Sequence, residues 1–318
     1  MQRLKIILSI IVFYSFISCS YQPEKTSLFQ EIERAITLEE TKYILSELAS
    51  DKMKGRDLES GGYDLAAEFA IDFFKENEVK PFYPSYRDSF YSNNVSSFNI
   101  VGIINKYDKS KETILIGAHL DHLGQEQNGD QDLVYNGAND NASGCTAVLQ
   151  IGKFLSKKSW NKNIILVLFA EEENGLLGSA HLAKKLKDEG VSLSYMINFE
   201  MLGVPLSSGQ NKINARGYDF SNFADELNEI YPQFVERIDQ KDQFELFSHS
   251  DNYWFYLEHN IPTETFTTFD YQNYEFLHNK KDEIQKLDTN HLNQIIIRLG
   301  YSISKLIYDD TELITINL

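Results

Sequence analysis

Histidines and acids cluster at four places along this chain, and their types suit metal binding and proton transfer. The run "TILIGA" leads into His119 and Asp121. "GANDNASG" carries Asp140 just ahead of a helical stretch. "IILVLFA" leads into Glu171, Glu172 and Glu173, and "YMINF" leads into Glu200. Three adjacent carboxylates repel one another and require a nearby positive charge. Imidazole and carboxylate donors together suit zinc, with cobalt and manganese as lesser options. A pair of divalent ions would balance several anions at once. The chain has no HExxH, no GxSxG and no Gly-rich phosphate loop. Cys145 falls on an apolar helical face and reads as a core residue rather than a nucleophile.

The flanking patterns say how these residues are positioned. "FNIVGIIN" and "ETILIGA" are short β-rich runs. "NIILVLFA" is apolar without interruption, as expected of a strand buried on both faces. Helical spacing follows in "SGCTAVLQIGKFLSKK" and "GSAHLAKKLKDEG". It occurs earlier over residues 28–48 and 63–76, and last in "DTNHLNQIIIRLGYSISKLIYD", with Asp288 or Thr289 as N-cap. "IPTETFTTF" reads as a further strand. Strands alternating with helices imply an α/β fold: one domain, with a central mixed, largely parallel sheet flanked by helices. In such sheets ligands bind beyond the carboxyl ends of the strands, which is where the His and acid groups fall.

The chain has 318 residues and a formal net charge of −17. That acidity argues against nucleic acid or an anionic lipid surface as partner. Arg3 and Lys5 precede an apolar run over residues 6–17, too short to span a membrane and suited to export. "FISC" then places Cys19 after Ser18, in the manner of a bacterial lipoprotein signal, with a plain cleaved signal as the alternative. The reading is a signal over residues 1–18, a tether over 19–27 and one domain over 28–318. The mature protein is expected in the cell envelope, lipid-anchored at Cys19, as a monomer.

The stretches "NIVGII", "IGAHLDHLG", "GANDNASGC", "EENGLLGSAHLA", "INFEMLG", "SDNYWF…NIPT" and "LHNKKDEI", with Gly55-Arg56 upstream, resemble metallopeptidase family 28. These are the di-zinc aminopeptidases, related to glutamate carboxypeptidase and more distantly to glutaminyl cyclase. The resemblance implies a zinc-exopeptidase domain, two divalent metal ions and peptide substrates. By it, His119, Asp140 and Glu200 hold one ion, and Glu173, His278 and Asp140 the other. Asp121 orients His119. Glu172 is the general base toward a metal-bridging hydroxide, since counting back from Gly175 leaves Glu171 outside the motif. Tyr253, Tyr271 and Tyr274, with Trp254 and Phe255, are expected either to wall a substrate pocket or to pack in the core. The remaining histidines, His122 among them, are read as supporting or surface groups. Two departures stand out: Glu200 replaces the family's usual Asp, and Leu277 replaces a common Tyr. A cyclase-like acyltransferase, a carboxypeptidase and an inactive binding lipoprotein are the competing functions.

Overall fold

The computed structural model describes residues 27–92, 95–126, 133–237, 243–308 and 314–317. The expected signal and its tether up to residue 26 lie outside them. Two helices open the described chain, α1 (Ser27–Ala35) and α2 (Leu38–Leu48). Sequence spacing suggested one helix here. The chain turns between them because Thr37 is extended and its hydroxyl accepts the N–H of Glu40 at 3.3 Å, an N-cap that starts α2 afresh. Then come α3 (Gly62–Glu76), β1 (Lys80–Pro81), β2 (Arg87–Ser92), β3 (Val95–Ile104), β4 (Thr113–His119), α4 (Gly144–Ser156) and β5 (Asn163–Phe169). The remainder is α5 (Leu177–Asp188), β6 (Leu193–Glu200), β7 (Ile213–Ala215), α6 (Phe223–Ile230), β8 (Val235–Arg237), α7 (Gln243–Ser248), α8 (Asn252–His259), β9 (Thr263–Thr267) and α9 (Thr289–Tyr308).

Among the described residues the strands form one mixed sheet, with β1 and β2 both pairing β3 and the order continuing β3-β5-β4-β6-β9-β7-β8. Its centre, β5-β4-β6-β9, is parallel, while β3 and β7 join antiparallel. Side chains alternate between the two faces. Ile114, Ile116, Ile164, Leu166, Leu168, Ile197 and Phe199 enter the larger core, with α4 and α9. Leu115, Ile165, Val167, Phe169 and Met196 enter the smaller one, with Leu182 of α5 and Phe255 of α8. Every residue of β5 is buried, as its unbroken apolar run requires. At the start of α9, Asp288 Oδ1 accepts the N–H groups of Asn290 and His291, each at 3.0 Å, which makes Asp288 the cap.

The centre is where the site is set. β4, β5 and β6 run the same way and end at His119, Phe169 and Glu200. Their carboxyl ends therefore open on one edge.

Candidate metal and catalytic site

The Asp140 loop is polar in sequence yet buried, because Asn139, Asn141 and Ser143 use their side chains on the backbone at the end of β6 and just beyond it. Asn141 donates from Nδ2 to Phe199 O at 2.9 Å, and its Oδ1 accepts the N–H of Met201 at 3.2 Å. Ser143 Oγ accepts from Leu202 N, and Asn139 Oδ1 from Gly203 N. Gly144 completes this seam: a Cβ there would run into Phe199 O and Asn141. Asp140 is thereby stitched beside Glu200.

Two charged residues grip the same loop from behind. Arg56 has no exposed surface, and its five N–H groups all meet backbone carbonyls. Nε donates to Leu120 O (2.8 Å). Nη1 donates to Leu48 O (2.8 Å) and Asn136 O (2.5 Å), and Nη2 to Gly137 O (2.9 Å) and Asp140 O (3.2 Å). Gly137 lies at φ 53°, and a Cβ there would meet Asp140 O and the guanidinium, so glycine is required. On the opposite side, buried Asp282 accepts the N–H groups of Asn139 (2.7 Å) and Asp140 (3.0 Å). Tyr274 donates its hydroxyl to the same carboxylate at 2.6 Å. One cation takes the loop's carbonyls and one anion takes its amides.

Three of the expected ligands, His119, Glu173 and His278, converge on Asp140, while Glu200 groups with His119 and Glu172 rather than with Asp140. Its Oδ1 lies 3.2 Å from His119 Nε2, and its Oδ2 3.3 Å from His278 Nε2. His278 Nε2 is also 3.1 Å from Glu173 Oε2. Donor atoms of His119, Asp140 and Glu173 lie within 4.8 Å of one another, and so do those of His119, Glu172 and Glu200. Both triplets offer only nitrogen and oxygen, as zinc accepts, and no thiol competes. Cys145 is buried with its Sγ 3.0 Å from His119 O. Asp121 departs from its expected task. Its backbone oxygen, rather than its carboxylate, is nearest His119 Nδ1, at 3.2 Å against 4.0 Å. The carboxylate instead accepts the N–H groups of Glu172 (3.1 Å) and Glu173 (3.2 Å), so it aims both glutamates.

Neighbouring glutamates end up in opposite states. Burial pushes the Glu172 carboxyl well above the ordinary range, with Glu200, Asp251 and Glu173 adding to it and His119 opposing. Burial acts on Glu173 in the same sense, but hydrogen bonds from His122 and His278 overcome it and bring it down to about 2. His122 is thus a residue that sequence reasoning left as a supporting group. It is buried, with Nδ1 2.7 Å from Glu173 Oε1. Glu171 accepts from Asn174 at 3.1 Å and stays outside the cavity. Glu200 is held by Arg216 Nη2 at 2.9 Å and by the Ser250 hydroxyl.

A cavity of about 680 Å³ opens over these groups. Beside the ligands and Glu172 it is lined by Met201, Arg216, Leu246, Phe269, Tyr271 and Leu277. Of the three expected substrate tyrosines, Tyr271 lines it. Tyr253 and Tyr274 do not. Tyr253 packs edge-on to Phe244 and Phe247, and Tyr274 is spent on Asp282.

The sequence is 26% identical over 215 residues to a Trichophyton verrucosum protein named "Probable leucine aminopeptidase", covering 64% of this chain and 54% of the relative. The chain thus spans about half the length of that relative. A shorter match, 39% over 67 residues, covers 21% of this chain and 14% of a "Probable zinc metalloprotease" of Pyrenophora teres f. teres. The Legionella pneumophila LapA aminopeptidase superposes with a TM-score of 0.68 at 18% identity, covering 88% of this chain and 74% of that one. A Porphyromonas gingivalis glutaminyl cyclase does so at 0.67 and 13%, covering 86% and 99%. Likeness at these identities speaks for the fold. The profile of Peptidase family M28 matches residues 99–301, which hold all of the ligand positions described above, and the chain belongs to that family.

Proposed function

We propose that this protein is a metal-dependent aminopeptidase that removes residues from the N-termini of peptides, with two divalent ions, zinc first among them, and Glu172 as general base. The observation that carries the reading is the divergence of Glu172 and Glu173. One Asp121 carboxylate aims both, yet Glu173 joins His119 and Asp140 while Glu172 joins His119 and Glu200. His119, Asp140 and Glu200 would hold one ion, and Asp140, Glu173 and His278 the other. Bound ions of this kind polarise a scissile carbonyl and acidify the attacking water. Glu172 takes the proton from that water and delivers it to the leaving amine, a task suited to a carboxyl whose pKa is raised. Arg56 and Asp282 keep Asp140 in place throughout. The acidic end of the cavity receives the substrate's positive α-amine. Met201, Leu246, Phe269 and Tyr271 offer apolar surface to the terminal side chain.

The expected export and the lipid anchor at Cys19 are part of this proposal, as is a monomeric state. None of the helices in the described residues is long and apolar enough to cross a membrane. The test is metal analysis together with hydrolysis of aminoacyl-nitroanilides. Metal-dependent release of nitroaniline supports the reading. Cyclisation of N-terminal glutamine without hydrolysis, or metal binding with neither reaction, overturns it.

A further inference from the structure

Glu200 differs from the other expected ligands in what already holds it. Asp140 and Glu173 are met by imidazoles: His119 and His278 on Asp140, His122 and His278 on Glu173. Two of these three imidazoles are themselves ligand candidates, so they would serve the ion rather than compete with it. The partner of Glu200 is a guanidinium, which keeps its charge at any accessible pH.

That guanidinium is fixed in place. Arg216 follows β7, donates its backbone N–H to Thr265 O at 3.0 Å, and is 5% exposed. Its Nη1 lies 3.3 Å from both His249 O and Ser250 Oγ, and its Nη2 2.9 Å from Glu200 Oε1. The second oxygen of Glu200 takes the Ser250 hydroxyl, so both carboxylate oxygens are engaged. The length of Glu200 has its explanation here. An aspartate on the same strand end would stop about 1.5 Å short, one C–C bond, and would leave the 2.9 Å contact beyond hydrogen-bond range.

We propose that Arg216 restrains the ion on the Glu200 side: it shares Glu200 with that ion and repels it, so this half fills more weakly than the Asp140–Glu173–His278 half. The inference rests on the two-ion reading above. A divalent ion bound by Glu200 sits beside a buried permanent positive charge, and Coulomb repulsion at such range is poorly screened. Among the described residues, the carboxylates of the other half meet no guanidinium: Arg56 reaches Asp140 only at its backbone oxygen. At limiting metal the protein then holds one ion, with Glu200 and Arg216 as a neutral pair in the cavity wall.

The experiment is zinc titration of the purified, chelator-stripped full chain by calorimetry, repeated with cobalt so that each site reports by its absorption spectrum. Wild type should show two binding steps at least about tenfold apart. Arg216→Gln keeps a hydrogen-bond donor and removes the charge, and Arg216→Met removes both. Each should tighten the weaker step by about 10–100-fold, the usual scale for changes around a ligand, and move the stronger step less than about threefold. A wild type that takes two ions with equal affinity overturns the proposal, whatever the variants do. So does a weaker step that stays put or loosens in Arg216→Gln, since Arg216 would then be orienting Glu200 for the metal. If wild type takes a single ion, Arg216→Gln must add the second, and failure to do so also overturns it. Should Arg216→Met melt early, Arg216→Gln and the wild-type titration still decide. Binding of no zinc at all is a different failure, that of the metallopeptidase reading itself.

Discussion

His119, Asp140 and Glu173 stand at the end of a strand or in loops that the backbone itself holds, and almost none of their surface reaches solvent. His278 stands on the long segment between β9 and α9, at φ 52°, with 53% of its side chain exposed. Both kinds of residue face the same centre, yet they are held by different physics. The buried group is positioned by the sheet, by the Arg56–Asp282 grip and by the Asp121 carboxylate, all of which exist before any ion arrives. His278 is held chiefly by its contacts with Asp140 and Glu173, which raise its pKa to about 10. The lesson is that a ligand set can be half prebuilt and half recruited. Damage to the prebuilt half should therefore harm the fold, and damage to the recruited half only the site.

The largest expected effect is on turnover. Glu172→Gln removes the base without removing a ligand, and should lower kcat by roughly 10²–10⁴-fold at unchanged metal content. Glu171→Gln, one residue away and turned to Asn174, should leave kcat within about twofold. Equal losses in the two variants would erase the distinction between these neighbours. Steady-state kinetics with metal analysis on both variants decides.

Next comes the grip. Arg56→Met removes the side-chain donor from five buried carbonyls; Gly137 O keeps the N–H of Ala142, and each of the other four costs about 1–3 kcal/mol when left unsatisfied. Relaxation will recover part of that, so a loss of about 3–5 kcal/mol in urea unfolding is expected, with metal affinity falling in parallel. Arg56→Lys should do less harm, since one ammonium keeps the charge and some of the contacts. His278→Ala makes the contrast. It should cut metal affinity about 10-fold or more while moving stability by less than about 0.5 kcal/mol, as is usual for a half-exposed residue. A thermal midpoint that drops as far in His278→Ala as in Arg56→Met would break the division between prebuilt and recruited.

The smallest effect concerns pH. Glu264 lies fully buried beside Arg216, and burial raises its carboxyl to about 8, against the N–H groups of Gly217 and Thr265 and the charge of Arg216. An acid whose pKa is raised on folding keeps a proton in the native state that the unfolded chain has released. Its contribution to stability therefore falls as pH rises from its ordinary value near 4.5 to about 8. Glu264→Gln should lose less stability than wild type between pH 5 and pH 8 in urea unfolding, giving a flatter curve over that window. Parallel curves would show that Glu264 ionises freely in the native protein.

The contrast between the two halves also tracks what could be read from the residues in order. Strand ends announce themselves locally: an apolar run that stops at His119, at Glu171 or at Glu200 needs no knowledge of the rest of the chain. The same holds for the parallel centre, for α4, and for the Asp288 cap. Arg56 was visible as part of a Gly-Arg pair, but nothing near it reveals that its five donors meet carbonyls from Leu48, Leu120 and the Asp140 loop. His122 sat beside a ligand with no sign that it would turn to Glu173, 51 residues on. Tyr274 and Tyr253 looked like pocket residues because aromatic rings suit both cavities and cores, and composition does not separate the two.

Short apolar runs alternating with helical patterns, and the residues at which each run stops, by themselves determined the α/β sheet and put the acids and histidines on one edge. These are short-range properties, since backbone geometry repeats every two residues in a strand and every 3.6 in a helix. Which oxygen faces which nitrogen was decided only by the tertiary structure. Glu172 and Glu173 are adjacent in sequence and equal in chemistry, and they part company only because Asp121, His122 and His278 arrive from distant segments. Likewise Glu200 reads as a metal ligand from its place on β6. Its pairing with Arg216 depends on β7 and β9 lying alongside, a juxtaposition that no local pattern encodes.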